Sequence, residues 1–377
     1  LKGITEPIEA VIKDSPPHYQ VGDQEIFWIG EQETHTYFTV TATLRHIAPH
    51  LYMWVEDGLE VKEEALELSI REFEERIYPT IHRLFGSEWS PGVDNDPRIH
   101  ILNARLSENI LGYYSTADEY SHMVNSFSNQ REIFYMNLTY LELGTDYYHA
   151  VLTHEFQHMV HWNLDQNEDS WVNEGLSELA TKLVGYSTGQ ARITPFLISP
   201  DTQLNAWAEE TEETIPHYAA AFLFMEYFRD RFGEDYMGKL ANQKANGLAG
   251  FDEILAEHLA GLTFQDIFKD WLVANYLDSP WLEEGRYGYR DLHVGVSLDR
   301  IHFIYPAHHA DTVHQYAADY IGLRPLGAFM RVWFDGADTV KLVGNDPHSG
   351  RYQWWSNRGD VSNTTLTRSF DLSGLEK

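Results

Sequence analysis

The sequence predicts an α+β fold in two lobes, a mixed sheet backed by helices and then a helical lobe, followed by a β-sandwich-like module. Three observations predict it. Before residue 140, short runs alternate apolar and polar residues, as half-buried strands do. From Ser170 to about Leu277 helical periodicity dominates. After DSPW at 278–281 the texture returns to short runs punctuated by Gly, Asn and Asp. The divisions expected are 1–165, 166–278 and 279–377.

Residues 25–29 and 37–44 read as paired strands and 51–55 as a third. An amphipathic helix is expected from about Val61 to Phe85. Leu66, Ile70, Phe73, Ile77, Ile81 and Leu84 share one face, and Gly86 stops it. Pro79 should kink it, because its ring removes a hydrogen bond. Strands follow at 98–104 and 131–138, with Gly112–Ser115 as a candidate edge strand able to pair with an extended peptide. Helices are expected at 171–186, 217–232, 251–258 and 264–277. Strands are expected at 300–304, 316–323, 329–334, 339–343, 351–355 and 364–370.

The chemistry concentrates in HEFQHMVHWN at 154–163 and WVNEGLSELA at 171–180. Leu152, Phe156, Met159 and Val160 form an apolar stripe, so the first segment can be a helix, capped by Thr145 or Asp146. His154 and His158 then lie one turn apart on one face, where two imidazoles can hold one zinc ion. Zinc lowers the pKa of a bound water from about 16 to about 7, and Glu155 stands where it can take that water's proton.

A hydrolytic zinc site needs a third protein ligand. A second helix starting at Asp169 or Ser170 puts Glu174 and Glu178 on one face and Leu176, Leu179, Ala180 and Leu183 on another. An antiparallel return through NLDQNED brings Glu174 to the two histidines, and Glu178 can accept the free ring N–H of one of them. The ordinary alternative for Glu174 is a solvated helix carboxylate. His161 is the rival ligand. It lies about 10 Å along a helix axis from His154, too far for one ion unless the helix breaks, and no Gly stands between it and Ser170. A place in the cleft wall suits it better.

HEFQH with NEGLSELA resembles the gluzincin group of metallopeptidases, whose third ligand is a Glu on a following helix. Within that group it resembles the hyicolysin-like branch and bacterial secreted peptidases similar to immune inhibitor A. FWIGEQETHTYFTVTATLRHIAPHLYMWVEDG, PRIHILNARL, REIFYMNL and HYAAAFLFMEYFRDRFG extend the likeness. The loop from His158 to Glu174 is shorter than in thermolysin-like or aminopeptidase-like gluzincins. In immune inhibitor A proper the third ligand follows the second His more closely. The resemblance implies a zincin-like two-lobed fold, zinc as cofactor, and a Tyr or His that donates to the oxyanion. Tyr218 matches that position, with His217 as neighbour and rival. The ending SNTTLTRSFDLSGLEK is similar to the start of a further β module, so the natural product is expected to continue past Lys377.

Composition narrows the partners. The net charge is -31, from 27 Lys and Arg against 58 Asp and Glu, which disfavours nucleic acid and anionic membranes. There are no cysteines, so disulfides and thiolate ligands are excluded. No apolar run approaches the length of a membrane span. The chain opens on LKGITEPIEA without a signal peptide and is read as a processed, secreted form, a monomer acting on protein or peptide substrates.

Asp94, Asn95 and Asp96 before Pro97 are a secondary candidate, for calcium, with a polar turn as the simpler account. Arg358-Gly359-Asp360 reads as a turn, and Trp354 and Trp355 as sandwich core. The function expected is a zinc-dependent endopeptidase. An aminopeptidase with the same site would need acidic groups for the substrate's amine, and no GAMEN-like motif precedes HEFQH. A silent surface-binding protein is the third reading, and the intact Glu155 speaks against it.

Overall fold

The computed structural model describes residues 8–337, without 32–33, 35, 107–109, 188, 209–210, 260, 325–326 and 328, and also Gly350. The alternating runs form a mixed six-stranded sheet from β1 (Gln24–Glu31), β2 (Thr36–Ile47), β3 (Leu51–Glu56), β4 (Ile99–Ala104), β5 (Gly112–Tyr114) and β6 (Ile133–Asn137). Their order is β1-β2-β3-β4-β6-β5. The β3–β4 and β4–β6 pairs are parallel and the others antiparallel. Every residue of β4 and β6 is buried, as expected of strands covered on both faces.

The two faces pack differently. Met53, Ile101, Phe134 and Met136 point to the helices, against Phe73 and Phe156. Phe27, Leu44, Trp54, Leu102 and Tyr135 form a second cluster on the other face, around which the sheet curls. The curl brings the terminal strands together. Gly30 N–H donates to Tyr113 Oη at 3.2 Å, and Asn129 joins the Trp28 backbone to the Tyr135 hydroxyl.

The first helix runs as expected but in three parts. These are α1 (Glu63–Glu72), a π-turn at Phe73–Ile77 and α2 (Tyr78–Leu84). Pro79 cannot donate to the preceding turn, and the helix widens just ahead of it in place of a simple kink. The motif helix α3 spans Asp146–Leu164, and the Thr145 hydroxyl accepts from Tyr148 N–H at its start. α4 spans Ser170–Val184 and ends at Gly185, whose φ of 99° is left-handed.

Then come α5 (Thr194–Ile198), α6 (Thr211–Phe232), α7 (Asp235–Ala241), α8 (Gly247–His258) and α9 (Phe264–Leu277), the last opened by a Thr263–Asp266 capping box. One buried apolar cluster joins the helix-facing side of the sheet to these helices and to Tyr289, Leu292, Val294 and Val296.

Past α9 the described residues hold two short parallel strands, β7 (Arg300–His302) and β8 (Ile321–Leu323). The strand expected at 329–334 is absent. Phe329, Val332, Trp333 and Phe334 are exposed, and alternation alone does not make a strand where no described neighbour offers a ladder. The strands expected at 339–343, 351–355 and 364–370, with Trp354, Trp355 and Arg358-Gly359-Asp360, lie outside the described residues. Among those described, no helix is long and apolar enough to cross a membrane.

Candidate metal centre

Helices α3 and α4 run beside each other, and the loop between them returns Glu174 to the histidine face of α3. His154 Nε2 and His158 Nε2 stand 3.0 Å apart. Glu174 Oε2 lies 3.2 Å from the first and 3.4 Å from the second. A tetrahedral ion with nitrogen and oxygen ligands at about 2.1 Å sets its ligand atoms about 3.4 Å apart. The three atoms therefore have the spacing of one ligand set.

The tautomers point the same way. His158 Nδ1 is 3.1 Å from Asn173 Oδ1, which only accepts, so in the neutral imidazole the ring hydrogen sits on Nδ1 and the lone pair on Nε2. His154 Nδ1 faces a carboxylate oxygen of Glu178 at 3.4 Å, with the same consequence. Two imidazole lone pairs and a carboxylate oxygen thus converge, and Glu174 Oε2 is buried without a hydrogen-bond partner. Such a cluster calls for a positive charge, either a protonated imidazole or a bound cation, and its donors are of the kind that hold zinc.

Electrostatics registers the convergence. Burial lowers His158, but Glu174 outweighs it, with help from Glu155 and Asn173, and lifts the imidazole to about 9. Burial pushes Glu174 up, and His158 and His154 pull it well below the usual carboxylate range. Glu155 is raised by burial, a shift that His154 and His158 oppose. Its Oε2 accepts the Tyr114 backbone N–H at 2.9 Å, so the edge strand β5 touches the candidate base.

Tyr218, on α6, places its ring centre 6.5 Å from that of His154. Trp207 packs edge-on against it at 4.8 Å, and the Arg192 guanidinium lies 5.2 Å from its centre. Burial, then Glu174, Glu178 and Glu155, raise the phenol, so it keeps its proton. His217, the rival, packs on Trp207. His161 stands behind the centre and shares Asn173 Oδ1 at 3.0 Å. Burial and the neighbouring His158 lower it to about 4, which leaves it neutral near pH 7.

Several supporting residues escaped the sequence reading. Asn173 holds His158 and His161. Ser177 Oγ meets His158 Nδ1 at 3.0 Å and also bonds Gln157. Arg192 forms an ion pair with Glu178. Only Asn173 had a visible signal, its place immediately before Glu174.

The residues of the calcium candidate lie at a turn, where Asp94 Oδ2 is buried without a hydrogen-bond partner. Asp96 accepts from the Tyr52 hydroxyl and from Arg98, and Asp94 Oδ1 accepts Asp96 N–H. A second group of possible ligands, Asp299, His309 and Asp311, lies near the surface, where Arg300 already approaches both carboxylates within 4.0 Å.

The chain matches no family model and no curated protein, so what this centre does is argued from its own residues.

Proposed function

We propose that the chain is a zinc-dependent endopeptidase of the gluzincin kind, with His154, His158 and Glu174 as ligands. The observation that carries this reading is the convergence of three lone-pair donors at 3.0–3.4 Å, with the Glu155 carboxylate beside them. Zinc held by His154, His158 and Glu174 would supply a water activated near neutral pH and a Lewis acid for the carbonyl under attack.

The chain's own groups then have distinct tasks. Glu155 takes a proton at its carboxylate and returns it to the leaving amine, work suited to a buried carboxyl whose pKa is raised. Tyr218 supplies a protonated phenol to the developing oxyanion. The outer edge of β5 aligns an extended peptide across the cleft. On this reading the sheet with α1–α3 is one zincin lobe and α4–α9 the other, and the chain after 278 first packs Tyr289, Leu292, Val294 and Val296 into their common core.

The test is cleavage of unfolded casein by the zinc-loaded chain, with Glu155→Gln in parallel. Internal cuts by the native chain alone, with zinc retained by both, are expected. Equal turnover by the variant would remove Glu155 as base, and no zinc uptake by either would end the reading.

A further inference from the structure

The curl of the sheet leaves a cavity of about 240 Å³ between its two terminal strands. That is smaller than the roughly 300–1,000 Å³ of sites for drug-sized ligands and suits a single side chain. Its walls are aromatic. Tyr37 and Phe127 stack at 4.2 Å, Trp28 meets Phe127 edge-on at 5.2 Å, and Tyr113 stacks on a further tyrosine behind it. Tyr37 and Phe127 are 42% and 38% exposed and form the mouth.

Two carboxylates, Glu31 and Asp118, join the lining, and no Lys, Arg or His is among the described residues that line it. Burial raises Asp118 to about 6, so it is mostly ionised at neutral pH. Its oxygens accept from Asn129 N–H at 2.6 Å and from the Tyr135 hydroxyl at 2.8 Å, which fixes the carboxylate in place. Ring faces beside carboxylates attract organic cations.

The position ties the cavity to the candidate centre. Tyr113 belongs to the cluster inside the curl, while its neighbour Tyr114 packs toward the helices and donates its N–H to Glu155. Successive side chains of an extended strand point to opposite faces. A peptide laid along β5 therefore sends alternate side chains toward the metal face and toward the cavity.

We propose that this cavity is a subsite for a Lys or Arg side chain of the substrate, an inference that rests on the peptidase reading. The net charge of -31 works in the same direction, since it concentrates basic peptides around the chain.

The first arm of the test is binding. A neutral fluorescent peptide carrying one Arg or one citrulline at each position in turn is titrated into zinc-loaded Glu155→Gln. At one position Arg should bind about tenfold tighter than citrulline, which has nearly the same shape without the charge. Asp118→Asn, and separately Phe127→Ala at the exposed mouth, should shrink that gap to within about twofold. Equal binding of Arg and citrulline at every position overturns the inference, as does a gap that both variants leave intact.

The second arm is the set of casein cuts made by the native chain. A basic residue at a fixed distance from the cut is expected. Internal cuts without one overturn the subsite and leave the peptidase reading standing. An absence of cuts overturns the peptidase reading itself, and the subsite as a substrate site falls with it.

Discussion

The side-chain carbonyl of Asn173 holds His158 at its Nδ1, 3.1 Å away. Asn173 immediately precedes Glu174, so one turn of α4 sets both a ligand's orientation and the third ligand itself. Asn173→Ala should therefore lower zinc affinity by about 10–100-fold, measured by competition with a chromophoric chelator. Unchanged affinity would mean that Ser177, 3.0 Å from the same nitrogen, is enough to hold the ring.

Gly175 is where α4 meets α6. A Cβ there would come within 2.9 Å of Met225 Cγ and 3.1 Å of the Ala221 carbonyl oxygen. Alanine is the better helix former by about 1 kcal/mol, yet overpacking against backbone costs about 1–3 kcal/mol. The clash wins, so Gly175→Ala should lower the urea midpoint, and Gly175→Val should lower it further. A stabilised Ala variant would show that α6 can withdraw without loss.

The centre was legible because its signal is local. His154 and His158 need only helical phase, and Glu174 needs only the apolar stripe that fixes how α4 turns. Arg192 and Trp207 were not legible, since they reach Tyr218 from chain between helices, and its path depends on the whole lower packing. The curl of the sheet was hidden for a related reason: Asn129 ties Trp28 to Tyr135, and no periodicity records that bond. α5 and α7 are too short to repeat a period. At 329–334 the sequence has the alternation of a strand, but no described strand lies alongside to pair with it.

Glu168 predicts a pH dependence of stability. It is buried in the loop between α3 and α4, and its Oε1 accepts N–H groups of Asp169 at 2.6 Å and Gly247 at 2.7 Å. Burial lifts its pKa from 4.5 to about 8. A carboxyl raised in the folded state contributes most below its unfolded pKa, and that contribution is lost as pH rises through the folded value. Glu168→Gln keeps the accepting oxygen and cannot ionise. Its stability relative to the native chain should rise between about pH 5 and about pH 8, by at most about 1.4 kcal/mol per unit. Urea unfolding across that window measures it, and a flat difference would show that the side chain is solvated.

Tyr218 and Glu178 share one brace. The Arg192 guanidinium lies over the Tyr218 ring at 5.2 Å and pairs with Glu178, which in turn faces His154 Nδ1 at 3.4 Å. The phenol is thereby held near the ligand histidine while its raised pKa keeps the hydrogen that an oxyanion needs. Removing only that hydroxyl should leave the ligands untouched and act on the transition state. Tyr218→Phe is expected to retain zinc and bind peptide normally while kcat falls about 10²–10³-fold, the usual cost of one lost oxyanion donor. If kcat holds in Tyr218→Phe but collapses in His217→Ala, the donor is His217, and the ring beside His154 serves only to shape the wall.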